Sequence, residues 1–268
     1  MMRTLSFAAA ALLLVQPLAA QLAPESNELG IRFAHVHLNV TDVAANEELW
    51  SNVFDGQIVV HGTLHTVRFP NMLVVFNERE PTGPSQGTVM DHFGFKVRDI
   101  QRILDEWRAR GLEVQSEFNG AEGFRNAYLL APDGVRVELQ EDPELPVKAA
   151  GYHVHFWTNQ IEELMAFYEG NFGAWTWPRG AISTSSNVPG MNLSFQGCRT
   201  ECGPTRGRAI DHIGFEVDDL QSFVAALQAK GVDFQMGYRE VPSIKLAIAF
   251  FTDPSGVYVE LTQGFDEY

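Results

Sequence analysis

Cysteine is scarce, with only Cys198 and Cys202 among 268 residues. Two thiols make a poor metal site, because a zinc staple needs further Cys or His ligands nearby and none lies between Gly190 and Ala209. Set in Cys-Arg-Thr-Glu-Cys within a Gly- and Pro-containing loop, the pair reads as a disulfide of an exported protein. Positive charge is also in short supply: 19 Lys plus Arg face 34 Asp plus Glu, a formal net charge of -15. That balance repels a phosphate backbone or an anionic membrane surface, which excludes nucleic acid as an expected partner. An anionic substrate must be captured by local cations or a metal.

Long apolar runs are missing but for one, Leu5 to Val15, preceded by Arg3 and followed by Pro17 and the small residues Ala19 and Ala20. It falls short of the ~18 residues that a membrane span needs. The segment reads instead as a secretory signal over residues 1–20, so the expected location is secreted or periplasmic, with no stable membrane insertion after cleavage. The remaining chain, 45% hydrophobic and 20% charged overall, has ordinary globular composition, which rules out a disordered or fibrous protein.

What the chain does have is an internal repeat. Asp91-His92-Phe93-Gly94-Phe95 recurs as Asp211-His212-Ile213-Gly214-Phe215, and Pro132-Asp133-Gly134-Val135-Arg136-Val137-Glu138 recurs as Pro254-Ser255-Gly256-Val257-Tyr258-Val259-Glu260. A finer unit lies inside each half: His35-Val36-His37-Leu38 and His153-Val154-His155-Phe156 open strands in the same way as the Asp-His segments. Four modules therefore begin near residues 33, 90, 151 and 210. Each reads as strand, helix, then several strands. Ile100, Ile103, Leu104 and Trp107 form a helical stripe after the N-cap Asp99, and Leu220, Phe223, Val224 and Leu227 repeat it after Asp219. Residues 141–148, with Pro143 and Pro146, form the linker between halves.

Strand alternation sorts the side chains by face. Val36, Leu38 and Val40 point toward the helix, leaving His35, His37 and Asn39 opposite; Phe93 and Phe95 likewise leave His92, Gly94 and Lys96; Val137 and Leu139 leave Arg136, Glu138 and Gln140. The second half repeats this with His153, His155 and Trp157, then His212, Gly214 and Glu216, then Tyr258, Glu260 and Thr262. A sheet covered by helices on one face, with two imidazoles and a carboxylate on the other, suits a divalent ion with open positions, which is a catalytic or ligand-binding arrangement.

These His-opened strands and the Gly-Val-Arg-Val-Glu and Gly-Val-Tyr-Val-Glu endings resemble the vicinal oxygen chelate superfamily, which includes glyoxalase I, bleomycin-binding proteins, fosfomycin-resistance proteins and extradiol dioxygenases. The resemblance implies an α+β fold of four βαβββ modules forming two open β-barrel cups (glyoxalase/bleomycin resistance/dihydroxybiphenyl dioxygenase-like). The first domain would span 31–142 and the second 150–264, each pair of modules enclosing one cup. Carried over residue by residue, the ligands of a divalent metal (Fe, Mn, Zn or Ni) would be His35, His92 and Glu138 in the first half and His153, His212 and Glu260 in the second. Glyoxalase I takes an additional Glu from the closing strand of a module, whereas residues 72–77 and 191–196 here carry no carboxylate.

The leading expectation is a metal-dependent enzyme, a dioxygenase or a lyase or isomerase, that chelates two neighbouring oxygens of a small-molecule substrate while His37 or His155 moves the proton. Its rival is a metal-free binding protein of the bleomycin-resistance type, with Trp157, Trp175 and Trp177 stacking on an aromatic ligand. His61, His65, Lys96, Arg125 and Tyr128 are further polar candidates in the first half. Pairing of two copies into a homodimer is left open by the sequence.

Overall fold

The computed structural model describes residues 24–265; the leader expected over residues 1–20 lies outside them. The first module comprises β1 (Ile31–Val40), α1 (Val43–Phe54), β2 (Gln57–His61), β3 (Leu64–Arg68) and β4 (Leu73–Glu78). The second comprises β5 (Met90–Val97), α2 (Ile100–Ala109), β6 (Glu113–Asn119), β7 (Arg125–Leu130) and β8 (Arg136–Glu141). The third has β9 (Ala149–Trp157), α3 (Ile161–Phe172), β10 (Trp175–Thr176), β11 (Ser185–Val188) and β12 (Met191–Gln196). The fourth has β13 (Ile210–Val217), α4 (Leu220–Ala229), β14 (Phe234–Val241), β15 (Leu246–Thr252) and β16 (Tyr258–Gln263).

Local chemistry fixes the strand-to-helix turn in three modules. The carboxylates of Asp42, Asp99 and Asp219 accept hydrogen bonds from the backbone N–H of Ala45, Arg102 and Ser222, the N-cap geometry that satisfies an otherwise orphaned donor. α3 begins after Gln160 without such a side-chain cap. The stripe of Ile100, Ile103, Leu104 and Trp107 is fully buried, as its spacing predicts.

The strands form two eight-stranded sheets, ordered β14-β15-β16-β13-β1-β4-β3-β2 and β10-β11-β12-β9-β5-β8-β7-β6. Each sheet is a cup, but the cups do not follow the halves of the sequence. The first combines modules one and four, joined antiparallel through β1 and β13 with His37 opposite His212. The second combines modules two and three, joined through β5 and β9 with His92 opposite His155. The expectation that each half encloses its own cup is thereby corrected.

The reason lies in the two faces of each strand. Within a half the modules meet through their apolar faces: Trp50 of α1 stacks on Phe93 of β5 at 5.7 Å and Phe54 on Phe95 at 5.0 Å. In the other half Phe172 of α3 lies 4.7 Å from Phe215 of β13 and 6.1 Å from Phe251 of β15. Joining two modules by their helix-bearing faces turns their polar faces away from each other. Each polar face must then be completed by a module from the other half.

Candidate metal centres

The crossed pairing brings the sequence-predicted residues together in new combinations. Ligand atoms of His35, His37, His212 and Glu260 lie within 4.8 Å of one another, and so do those of His92, Glu138, His153 and His155. The expected sets His35, His92, Glu138 and His153, His212, Glu260 are therefore corrected. All six residues line the two centres, but His35 belongs with His212 and Glu260, and His153 with His92 and Glu138. His37 and His155, expected as proton carriers, stand inside the same clusters, with rings 4.3 Å from His212 and 4.8 Å from His92.

In the second centre one carboxylate oxygen, Glu138 Oε2, lies 2.9 Å from His92 Nε2 and 3.2 Å from His153 Nε2. Its other oxygen accepts from Asn126 Nδ2 at 2.6 Å. In the first centre Glu260 Oε2 lies 2.9 Å from His35 Nε2 and 3.0 Å from His212 Nε2. Close approach of two strands makes this possible. A Cβ on Gly94 would overlap the His153 ring, and one on Gly214 would overlap the His35 ring, so the glycine of each Asp-His-x-Gly motif clears space for the imidazole from the neighbouring strand.

Asp91 and Asp211 complete the arrangement, and strand alternation alone did not single them out. Asp91 Oδ1 lies 2.7 Å from His92 Nδ1, and Asp211 Oδ1 lies 2.6 Å from His212 Nδ1. Adjacent residues on a regular strand point to opposite faces, but the pairing register shifts between Met90 and His92 and again across Ile210 to His212. Such an irregularity re-aims the carboxylate toward its neighbour's ring. The signal was present as a repeated Asp-His pair. Arg136 Nη1 in turn donates to Asp91 at 2.7 Å, extending the chain of charges.

The electrostatics separate two kinds of imidazole. Burial opposes protonation of His92 and His212, but hydrogen bonds to Asp91 and Glu138, and to Asp211 and Glu260, outweigh it; His92 is raised above the ordinary value and His212 is raised to about 9. Burial dominates at the other rings. It lowers His35, brings His153 to about 3 with help from the nearby charge of Arg179, and holds His37 and His155 well below the ordinary range with help from neighbouring imidazoles. Glu138 and Glu260 are both held below the ordinary carboxylate range, because the surrounding His contacts outweigh their burial.

The donor set fits a divalent ion. Nδ1 of His35, His37 and His153, and both ring nitrogens of His155, are buried without a hydrogen-bond partner among the described residues. Orphaned buried nitrogens are costly unless something occupies them, and neutral imidazoles beside an ionised carboxylate are what a borderline metal takes. The arrangement can hold a cation and present it to a small molecule.

The other candidates are dispersed. Tyr128 lies beside the second centre, its ring 5.1 Å from His92. Lys96 pairs with Asp142 at 3.0 Å, Arg125 with Glu117 at 2.7 Å, and His65 with Glu47 at 2.9 Å, and none of these three joins a cluster. Trp157 lies 6.2 Å from His155, whereas Trp175 and Trp177 are exposed. Cys198 and Cys202 form a disulfide.

A profile of the Glyoxalase/Bleomycin resistance protein/Dioxygenase superfamily matches residues 32–139 and 152–261. The chain is 23% identical over 184 residues, 63% of its length, to a probable chloroplastic lactoylglutathione lyase of Arabidopsis thaliana; the match spans 51% of that relative, about half its length. The crystal structure of glyoxalase I from Zea mays superposes with a TM-score of 0.68 at 16% identity, covering 87% of this chain and 92% of that one. A putative dioxygenase from Bacillus subtilis subsp. subtilis str. 168 superposes with a TM-score of 0.67 at 12% identity, over 91% of this chain and 87% of that one.

Proposed function

This chain belongs to the Glyoxalase/Bleomycin resistance protein/Dioxygenase superfamily, and from that premise we propose that it is an exported, divalent-metal-dependent enzyme acting on two neighbouring oxygens of a small organic substrate. The observation that carries the reading is the duplicated cluster of buried imidazoles converging on an ionised Glu. A bound ion supplies Lewis acidity and a template for adjacent oxygens.

The chain's own residues supply the rest. His92, His153 and Glu138, and in the other cup His35, His212 and Glu260, form the holding set. Asp91 and Asp211 fix the orientation of His92 and His212 through Nδ1, so that Nε2 faces the centre. His155 and His37, whose Nδ1 atoms make no hydrogen bond among the described residues, stand beside the centre where they can accept a proton from the substrate and return it, which suits isomerase or lyase chemistry. The name of the Arabidopsis relative supports a lyase-like reaction. The additional carboxylate expected of glyoxalase I has no counterpart in either cluster, where His37 and His155 stand instead. Export is supported by the leader-like segment and the Cys198–Cys202 disulfide.

Elemental analysis of protein purified without chelator tests this reading, with His92→Ala and His212→Ala alongside. Bound metal in the wild type that falls in each variant is the expected result. Equally low content in all three overturns it. A His155→Gln variant that keeps its metal but loses turnover assigns that residue to proton transfer, whereas loss of metal makes it a fourth ligand. Activity that disappears without oxygen identifies a dioxygenase instead of a lyase or isomerase.

A further inference from the structure

A cavity of about 330 Å³ abuts the second centre. Its wall includes Asp91, which holds His92, and Tyr128 and Trp157, whose rings lie 5.1 Å from His92 and 6.2 Å from His155. The disulfide loop adds Arg199, Thr200 and Cys202 to the lining. That loop is stitched to the strand entry beside it: Val89 N–H donates to Gly203 O at 2.8 Å and Gly203 N–H donates to Gly87 O at 3.0 Å.

Two donors on lining residues are left unsatisfied among the described residues. Nε of Arg136 and Nε1 of Trp157 are buried and lack a hydrogen-bond partner. Neither group can act as an acceptor, so only an incoming acceptor can satisfy them. The Arg136 guanidinium lies 3.7 Å from the centre of the Tyr128 ring, and that of Arg199 lies 5.5 Å from the Trp157 ring, which steadies both cations at the cavity. The charged residues lining the cavity are Arg136, Arg199 and Asp91, a net of one positive charge.

We propose that this cavity is the substrate pocket of the second centre and that it takes a small organic monocarboxylate, bound by Arg136, Arg199 and the Trp157 indole N–H. The proposal rests on the reading of the cluster as a metal centre and names the class of molecule presented to it. Arg136 is already paired with Asp91, so the lining leaves one uncompensated guanidinium, that of Arg199, to meet a carboxylate, while the charge of the ion is met by Glu138 and the chelated oxygens. A phosphate monoester carries about -1.5 to -2 at neutral pH, more than that one guanidinium balances. The volume lies near the lower end of the roughly 300–1,000 Å³ typical of ligand sites, which favours a compact molecule. The acidic surface does not attract such an anion from a distance, so capture falls to these local donors.

Isothermal titration calorimetry with benzoate, benzyl phosphate and benzyl alcohol as probes tests the proposal on the full protein, with and without added manganese. Benzoate should bind about tenfold or more tightly than either other probe. Arg199→Gln, a change at an exposed side chain, and Trp157→Phe, which removes the N–H, should each weaken benzoate about tenfold while leaving metal content unchanged. Absence of benzoate binding, affinity unchanged in both variants, or benzyl phosphate binding as tightly as benzoate each overturns it. Metal retained without benzoate binding defeats the pocket alone; benzoate binding to a protein that holds no metal defeats the metal reading alone.

Discussion

The two cups carry the same cluster but differ beside it. In the second cup the strand positions following His92 and Glu138 hold Lys96 and Gln140; in the first, the matching positions after His212 and Glu260 hold Glu216 and Thr262. Glu216 is buried, and its carboxylate is already satisfied by Thr262 Oγ1 and the backbone N–H groups of Gly264 and Phe265. Phe265 then sits 5.1 Å from His35. In the second cup Arg179 is 4% exposed, its Nε lies 4.0 Å from Glu122, its Nε and Nη1 make no hydrogen bond among the described residues, and its charge reaches His153. Duplication preserved the cation-holding groups while the surroundings diverged in sign, so the cups are expected to bind metal alike and anions differently.

The largest effects come from the carboxylates. Glu138→Gln should abolish binding at the second centre and leave the first intact, and Glu260→Gln should do the reverse, read as one ion lost per variant. Equal loss at both centres from either change would break the comparison.

The orienting carboxylates come next. Asp91→Asn and Asp211→Asn should each lower affinity at their own centre by about 10–100-fold, measured by competition with a chelator. Gly94→Ala should displace the His153 ring, costing about 1–3 kcal/mol of stability and weakening the second centre, with Gly214→Ala acting likewise on the first.

Smallest is a pH effect. Protonated His92 and His212 stabilise the metal-free fold below the ordinary value of 6.5, and this is lost as pH rises through their raised values, about 9 for His212. Glu138 and Glu260, held below 4.5, contribute above that value and lose their contribution as pH falls. The metal-free chain gains most in between, and metal must displace the imidazole protons. The difference in Tm between metal-saturated and chelated protein should therefore widen by about 3–6 °C from about pH 6 to about pH 8. A constant difference would remove the imidazole protons from the account.

Much of this was readable from the chain. The repeat and strand alternation placed His35, His92, Glu138, His153, His212 and Glu260 on polar faces, and Asp99 and Asp219 announced two of the helices. The grouping was not readable, because alternation tells which face a side chain occupies and not which strand lies beside it. That depended on Trp50 and Phe54 packing against β5, a contact that turns the polar faces of one half apart. Asp91 and Asp211 escaped because irregular pairing overrides the period of two. Arg179 and Arg199 lie outside the alternating strands, where no period applies.

Metal stoichiometry in double variants tests the crossed grouping most directly. His35→Ala combined with His212→Ala should cost one ion and leave the second centre loaded, whereas His35→Ala combined with His92→Ala should leave none. The opposite pattern, one ion retained in the His35, His92 pair and none in the His35, His212 pair, would contradict the account.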